Sequence, residues 1–410
     1  ITVLAGLNGC GKSTLSRWLY GFVRYSNAFD DMVDKGFSQR INEKIKRLYD
    51  IFRRVDVWAG NDFQTRILYT TSNLEDTATF LIDYAKKLST LIESNWDKAE
   101  LRIHGDWLWR ALDIDNEKDL NLSDRLNLFL DNIQKFVSDI LNEAIKVKAN
   151  SSKKTLFNFI ENGLMLEGAA PDKIEFIENG TSLIENGRFM HPISLKRAIY
   201  IDSPMAISNM SQRNYNKIWD EFGVLMADNL KEMPCDSSSI ALELRYTLGG
   251  NIVMKDEDLS FKQLRYVRKA DGLDISIDEL ATGMKSFAYL LRLLENGYLD
   301  SETLLIIDEP EAHLHPQWIF KFAKILVLLN KKLGVKIMIA SHNPDMVAAI
   351  SAISEAEGSS ANTNFYQAEK VPGTLRFDFK HCGNDISPIF ECFNIAIDRI
   401  DSYKPSLDQD

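Results

Sequence analysis

The N-terminal twenty residues constrain the fold of this chain more than any other segment. The apolar run Ile1-Thr2-Val3-Leu4-Ala5 predicts a short β-strand, and residues 14–20 predict a helix. Between them, residues 6–13 read Gly-Leu-Asn-Gly-Cys-Gly-Lys-Ser, which fits the pattern Gly-x-x-x-x-Gly-Lys-Ser. A strand, such a loop and a helix in this order aim backbone N–H groups and the positive end of a helix at one point, where a polyphosphate binds. The alternative interpretation of residues 6–13 is a glycine turn followed by a solvated lysine. Such a turn would not need a strand before it and a helix after it, so it leaves these flanking elements unexplained.

This loop predicts that the ligand is ATP and that it binds together with Mg²⁺. Lys12 is expected to reach the β- and γ-phosphates, and the Ser13 hydroxyl is expected to ligate the metal. The nucleotide-binding residues predicted at the loop are Gly6, Asn8, Gly9, Cys10, Gly11, Lys12, Ser13 and Thr14.

Composition and charge narrow the class of protein. The 410 residues have a formal net charge of −11, which disfavours general adsorption to nucleic acid or to anionic membranes. No run approaches the ~18 apolar residues of a membrane span. Four scattered cysteines without metal-binding spacing indicate a reducing compartment, so we expect a cytoplasmic protein without zinc. The chain starts without Met or a basic, apolar leader, so Ile1 is not expected to be the natural start.

The periodicity divides the chain into an α/β part and a helical insertion. Apolar residues recur every three or four positions in residues 80–92 and 122–141, which predicts two helices packed together. Strand-like pieces follow at residues 173–177, 198–201, 240–244 and 251–254, with turns at Asn179-Gly180 and Gly249-Gly250. A helix is expected over residues 211–230, strands at 363–366 and 374–377, and a helix at 386–400. We therefore predict an ATPase domain of residues 1–27 and 156–410, interrupted by a helical domain of residues 28–155.

Two features of the insertion each have two interpretations. Four tryptophans lie in it, at positions 58, 96, 107 and 109, and they pack in a core or against a partner more readily than they stack on bases. A basic group is formed by Arg40, Lys44, Lys46, Arg47, Arg53 and Arg54. A solvated helix face is the favoured interpretation, and a nucleic-acid patch is the alternative.

Two later strands end in residues suited to phosphoryl chemistry. Residues 303–307 are an apolar run that leads directly into Asp308 and Glu309, so Asp308 is predicted to hold Mg²⁺ and Glu309 to polarise the attacking water. Residues 336–340 form a similar run followed by Ser341 and His342, and His342 is predicted to contact the γ-phosphate. Since carboxyl ends of parallel strands share one edge of a sheet, these groups are expected to meet.

Between the loop and these strands, residues 278–286 read Asp-Glu-Leu-Ala-Thr-Gly-Met-Lys-Ser and open a helix. Together these elements resemble the ABC-type ATPases of the structural-maintenance (SMC), RecF and OLD classes. The resemblance implies a core in which a mixed sheet is flanked by helices. It also implies a head-to-tail dimer in which a Leu-Ser-x-Gly signature contacts the partner's nucleotide, here through Thr282 and Gly283. Ala281 stands where that family has the serine, and Met284 where Gln or Glu is common, which implies slow hydrolysis or an altered contact.

Residues 308–317, Asp-Glu-Pro-Glu-Ala-His-Leu-His-Pro-Gln, are similar to OLD-like and bacterial anti-phage ATPases more than to transporter cassettes. By this resemblance His313 and His315 set a loop or a dimer interface rather than bind a metal. Only about 65 residues follow His342, too few for the nuclease domain of OLD proteins. An ATPase without its own nuclease resembles the two-gene defence systems, such as Septu-type ATPases, which implies a separate effector such as a nuclease.

We therefore expect an ATPase that dimerises on ATP and senses or gates this effector in anti-phage defence. An SMC- or RecF-like ATPase that clamps DNA in repair or chromosome maintenance is the alternative. A transporter cassette and a nucleotide sensor without hydrolysis are further options.

Overall fold

The structure is a computed structural model. It describes residues 1–60, 73–114, 120–164, 166, 174–202, 217–228, 233, 235–257, 261–383 and 385–391. Contacts divide the chain into two compact units. The sheet unit comprises Ile1–Asn27, Lys154–Glu185 and Met190–Asp410, and the helical unit comprises Ala28–Lys153 and Asn186–Phe189.

The strands and helices follow one another along the chain as in an α/β protein with an inserted helical region. The strands are β1 Thr2–Ala5, β2 Ile177–Glu178, β3 Thr181–Ser182, β4 Ile184–Glu185, β5 Arg188–Phe189, β6 Arg197–Ile201, β7 Asn251–Glu257, β8 Phe261–Arg268, β9 Leu273–Ser276, β10 Thr303–Asp308, β11 Lys336–Ser341, β12 Asn364–Lys370 and β13 Phe377–Gly383. The helices are α1 Lys12–Asn27, α2 Phe29–Trp58, α3 Leu74–Asn95, α4 Ala99–Ile103, α5 Gly105–Ala111, α6 Leu122–Asn150, α7 Lys153–Leu164, α8 Lys217–Ala227, α9 Ser238–Leu248, α10 Thr282–Glu295, α11 Pro316–Leu333 and α12 Pro344–Ala356.

The main sheet of the sheet unit has the strand order β13-β12-β1-β11-β10-β6. Neighbouring strands pair in parallel except β12 and β13, which pair antiparallel. All six residues of β10 are buried, as are the last five of β11, because helices cover both faces of a parallel sheet. The predicted α/β fold class with a mixed sheet flanked by helices is confirmed.

Strands β7, β8 and β9 form a separate antiparallel sheet, which precedes α10. The turn predicted at Asn179-Gly180 joins β2 to β3, and both residues have positive φ, 51° and 81°. Such φ values are typical of a two-residue hairpin with Asn-Gly. The strand predicted from residue 173 is confined to Ile177–Glu178, and residue 173 lies outside the described residues.

Residues 240–244, predicted as a strand, are part of helix α9. Its buried residues Ile240, Ala241, Leu244 and Leu248 follow a helical period, which a five-residue apolar run is too short to reveal. Gly249 is therefore a helix C-cap with φ 65° rather than the start of a hairpin turn.

The remaining elements agree with the sequence in part. Of the helix expected over 211–230, the described portion is α8, and residues 211–216, 229 and 230 lie outside the described residues. The last strand begins at Phe377 rather than at residue 374, since the turn at Pro372-Gly373 continues through residue 375. A helical turn starts at Ser387, and residues 392–400 lie outside the described residues.

In the helical unit, α2, α3 and α6 pack against one another. The two periodic runs are confirmed as helices, with Leu81, Leu88 and Ile92 buried on one and Phe129, Ile133 and Ile140 on the other. The tryptophans pair with neighbours inside this unit: Trp58 stacks on His104 at 4.3 Å between ring centroids, and Trp96 lies 5.0 Å from Trp109.

Members of the basic group on α2 also have partners within the helical unit. Arg40 pairs with Glu143, Lys44 pairs with Asp113, and Arg54 lies over the ring of Trp107. No described helix is long and apolar enough to cross a membrane.

Candidate nucleotide site

The glycine-rich loop leaves β1 and enters α1 at Lys12. Gly9 and Gly11 have φ of 80° and 91°, a region that side chains disfavour. A Cβ on Gly6 would lie 2.7 Å from the Ala368 Cβ of strand β12, so this position also requires glycine. Glycine at these positions allows the loop to fold tightly over the sheet edge.

Lys12 is buried, and its ammonium is held by the loop itself. Its Nζ donates hydrogen bonds to the carbonyl oxygens of Gly6 at 2.8 Å and Leu7 at 3.0 Å, and it lies 3.6 Å from the Cys10 Sγ. Asn8, Gly9 and Gly11 are exposed on the same loop. The lysine is thus within the loop, and the outer rim of the loop is open to solvent.

The strand register brings the predicted groups to one edge of the sheet. Ala5, the last residue of β1, is opposite Ser341 of β11, and Ala340 is opposite Asp308 of β10. The loop after β1, His342 after β11 and Glu309 after β10 therefore leave three adjacent parallel strands at the same edge.

Asp308 is a buried carboxylate, only 4% exposed. Its Oδ2 accepts a hydrogen bond from the Tyr200 hydroxyl at 3.1 Å, whereas its Oδ1 is buried without a hydrogen-bond partner. Burial raises the pKa of Asp308, the hydroxyls of Ser13 and Tyr200 lower it, and the charges of Asp202 and Glu309 raise it. Ser13 of the loop and Asp308 of the strand therefore lie next to each other, as the sequence predicts for a metal site.

Asp202, which sequence analysis does not single out, belongs to the same cluster. It follows β6 directly, and because Ile201 is opposite Ile307, it lies beside Asp308. Arg17 of α1 donates a hydrogen bond to it at 3.3 Å. The available signal was an apolar strand followed by a carboxylate, but that pattern alone resembles a common turn.

Glu309 and His342 face each other across the edge. The Nδ1 of His342 lies 3.4 Å from Oε1 of Glu309, and both side chains are about 40% exposed, at 40% and 39%. Glu309 has φ 50°, a strained value for a residue with a side chain, while its N–H bonds to Ala340 O at 2.8 Å. The backbone is thus bent where the carboxylate leaves the buried strand.

Glu311 is a second residue that sequence analysis left without a role. Its carboxylate accepts hydrogen bonds from the Ser341 hydroxyl at 2.9 Å and from the His342 N–H at 3.1 Å. Burial raises the pKa of Glu311, and these hydrogen bonds lower it. The side chain thus joins the loop after β10 to the end of β11.

The segment at Thr282 and Gly283 packs against the loop that follows β10. It begins α10, where a Cβ on Gly283 would meet the His313 carbonyl oxygen at 2.9 Å and Leu314 at 3.2 Å. Among the described residues, no hydrogen bond joins Thr282 or Gly283 to residues 6–13. The structure therefore brings Lys12, Ser13, Asp308, Glu309 and His342 to one edge and places the signature segment against the loop that follows β10.

The two histidines of that loop shape the chain. His313 has φ 64°, and the Nδ1 of His315 accepts the Gln317 N–H at 3.4 Å as the N-cap of α11. Within the described residues, no group of three or more His, Cys, Asp or Glu side chains is arranged to hold a metal ion.

Comparison with known proteins gives the family. Residues 1–347 match the family model AAA_15, described as AAA ATPase domain. The energy-coupling factor transporter ATP-binding protein EcfA3 of Clostridium perfringens is 27% identical over 169 residues, which are 41% of this chain and 56% of that protein. A putative ABC transporter ATP-binding protein of Geobacter sulfurreducens is 35% identical over 71 residues, 17% of this chain and 24% of that protein. The chain thus spans little more than half the length of the first of these relatives.

Among solved structures, the Smc head domain with a coiled coil and joint from Pyrococcus yayanosii matches 94% of this chain and 63% of its own, at 10% identity and a TM-score of 0.29. The family match covers most of the chain and includes both the glycine-rich loop and the strands that end in Asp308 and Ser341. The chain belongs to the AAA_15 family of AAA ATPase domains.

Proposed function

We propose that this protein hydrolyses ATP at the sheet edge where β1, β11 and β10 end. The observation that carries the proposal is the convergence of the loop, the buried Asp308 and the Glu309–His342 pair on adjacent parallel strands. Ligands bind outside the carboxyl ends of strands in sheets of this kind. Lys12 then exchanges its bonds to the loop carbonyls for bonds to the β- and γ-phosphates.

The residues present fit a Mg²⁺ ion. The Asp308 Oδ1 is buried without a donor, Ser13 supplies a neighbouring hydroxyl, and Asp202 adds a second carboxylate. Mg²⁺ prefers oxygen ligands from one or two carboxylates together with substrate phosphates. When bound, the ion neutralises charge that develops on the phosphate oxygens.

Glu309 is the residue best placed to orient the attacking water. Its side chain is 39% exposed, against 23% for Asp202, whereas Asp308 and Glu311 are buried. Phosphoryl transfer requires an oriented nucleophile and charge stabilisation rather than covalent help. His342 beside Glu309 then contacts the γ-phosphate.

The signature segment suggests that a second copy completes the site. By analogy with ABC-type ATPases, Thr282 and Gly283 of one subunit contact the γ-phosphate held by the other, in a head-to-tail dimer. Ala281 offers no hydroxyl, and its absence removes a hydrogen bond to a charged group worth about 1.5–3 kcal/mol unless Thr282 supplies one. We therefore expect slow turnover.

The biological role that we propose is the control of a separate effector, a nuclease or a toxin, in anti-phage defence. It is supported by the resemblance of residues 308–317 to OLD-like and bacterial anti-phage ATPases. ATP-driven closure of the dimer would be the signal that the effector reads. Direct clamping of DNA is less well supported, because the net charge is −11 and Arg40 and Lys44 of the basic group are already paired with acids.

The enzymatic part is tested by ATP turnover. The unaltered protein is expected to release phosphate in a Mg²⁺-dependent manner, and Lys12→Ala is expected to abolish this release. Glu309→Gln is expected to bind ATP but lose turnover by a factor on the order of 10² to 10³. Equal rates for the unaltered protein and Lys12→Ala would show that it has no intrinsic hydrolysis.

The role in defence is tested in cells. The chain is expressed with its neighbouring genes, and the plating efficiency of a phage panel is measured with the unaltered protein and with Lys12→Ala. Protection that is lost in Lys12→Ala supports the proposal. Salt-sensitive binding to duplex DNA without any protection would favour the DNA-clamping alternative.

A further inference from the structure

Glu311 is a buried acid for which the proposed hydrolysis needs no direct contact with the substrate. Its side chain is 4% exposed, and it lies in the loop that follows the catalytic strand β10. One oxygen, Oε1, accepts both hydrogen bonds from the end of β11, from the Ser341 hydroxyl and from the His342 backbone. The other oxygen, Oε2, is buried without a hydrogen-bond partner.

The same Oε1 also faces the imidazole of His342, at 3.4 Å from Nδ1. Oε1 of Glu309 lies at the same distance from Nδ1, so two carboxylates face one ring nitrogen. That nitrogen is itself buried and makes no hydrogen bond among the described residues, so the two carboxylates face it at ion-pair distance, although the ring as a whole is 40% exposed. A carboxylate beside one nitrogen of a histidine favours a proton there and thereby sets the role of the other nitrogen.

This arrangement costs stability. A buried carboxylate with an unpaired oxygen loses its hydration, and a glutamine would make the same two hydrogen bonds through its carbonyl oxygen without the charge. A purely structural tie between the two loops therefore does not require an acid. The charge is explained if its purpose is to act on the imidazole.

We propose that Glu311 is a positioning residue that keeps a proton on Nδ1 of His342 and leaves Nε2, on the other side of the ring, for the substrate. This inference rests on the proposed function of the site. Because Glu311 orients His342 from the buried side, Glu309 is not needed to orient this ring. Glu309 is then available to orient the water.

The protonation of His342 is measured first, on the unaltered full chain. The protein is labelled with ¹⁵N-histidine, two-bond proton–nitrogen spectra are recorded at pH 8, and the His342 signals are assigned by their loss in His342→Gln. We expect a proton on Nδ1 in the unaltered protein and a shift toward the Nε2-protonated tautomer in Glu311→Gln. A ring protonated only on Nε2 in the unaltered protein would overturn the inference, whether or not the protein hydrolyses ATP.

Kinetics provide the second readout. Glu311→Gln is expected to be at least as thermally stable as the unaltered protein and to keep its KM for ATP within about threefold, while kcat falls by a factor on the order of 100, as for other small misplacements of a reacting group. Glu302→Gln, an exposed glutamate just before β10, is the matched control and is expected to leave both parameters unchanged.

The outcomes distinguish a failure of this inference from a failure of the proposed function. If Glu311→Gln hydrolyses ATP within twofold of the unaltered rate, the inference fails and the proposed ATPase stands. If the unaltered protein does not hydrolyse ATP, the proposed function fails, and the histidine spectra alone decide the role of Glu311.

Discussion

Replacing Asp308 with Asn is expected to make the protein more stable and inactive. Asp308 is 4% exposed, and its Oδ1 has no hydrogen-bond partner. The pKa of the carboxyl group is raised by burial and by the neighbouring charges of Asp202 and Glu309. In the absence of metal and nucleotide, the ionised form therefore destabilises the fold.

Asn removes this charge and keeps an oxygen that can accept the Tyr200 hydroxyl. Asn still leaves a buried amide N–H group where Oδ1 stood, so the gain comes from removing the charge, and we expect it to be about 1–3 kcal/mol. At about 2 °C per kcal/mol for a unit of about 280 residues, the melting temperature should rise by about 2–6 °C at pH 7.

The raised pKa of Asp308 also fixes how the stabilisation by Asp308→Asn should change with pH. Since the pKa of Asp308 is raised in the folded state, the folded protein binds this proton more tightly than the unfolded chain. The unaltered protein therefore loses stability as the pH rises from the ordinary carboxyl pKa to the raised one. The advantage of Asp308→Asn should be full above this window and should shrink as the pH falls through it.

The assay is thermal unfolding in EDTA from about pH 3.5 to pH 8, so that it begins below the ordinary carboxyl pKa, with Asp378→Asn as the control, because Asp378 is exposed on β13. The control is expected to change the melting temperature little. If Asp308→Asn lowers the melting temperature at pH 7, or raises it equally at every pH, the interpretation of this cluster as a strained metal site is refuted.

Three further changes test separate parts of the site. Lys12→Ala should weaken ATP binding at least tenfold in a calorimetric titration, and unchanged affinity would exclude the loop as the phosphate site. Asp202→Asn should raise the Mg²⁺ concentration needed for half-maximal turnover, and an unchanged requirement would remove Asp202 from the metal shell. Gly283→Ala should lower the melting temperature, because its Cβ would lie 2.9 Å from the His313 carbonyl oxygen, at a cost of about 1–3 kcal/mol. Gly223→Ala on α8 is the control and should not lower the melting temperature, because the space around Gly223 is open.

The sequence was most informative where one pattern fixes both the structure and the ligand. The loop at residues 6–13 and the buried strand ending in Asp308 were predictable, because a parallel strand covered on both faces is a continuous apolar run. The prediction of a strand at residues 240–244 was wrong, because a short apolar run does not distinguish a strand from a buried helix.

The contacts around the site depend on long-range register, which local patterns do not contain. Asp202 lies beside Asp308 only because β6 pairs with β10 in a register that sets Ile201 opposite Ile307. Likewise, Glu311 accepts the hydrogen bond from the His342 N–H only because β10 and β11 are neighbours in the sheet. Both carboxylates follow strands in the sequence, but nothing near them predicts the partner.

The central claim, a composite ATP site completed by a second copy, is tested most directly with Glu309→Gln. Gel filtration with light scattering is run with Mg²⁺, with and without ATP, and the double variant Lys12→Ala/Glu309→Gln is the control. Since the chain has a mass of 46.8 kDa, the account predicts a species of twice this mass with ATP and a monomer without it, and a monomer for the double variant in both cases. A Glu309→Gln protein that binds ATP and stays monomeric would contradict the account.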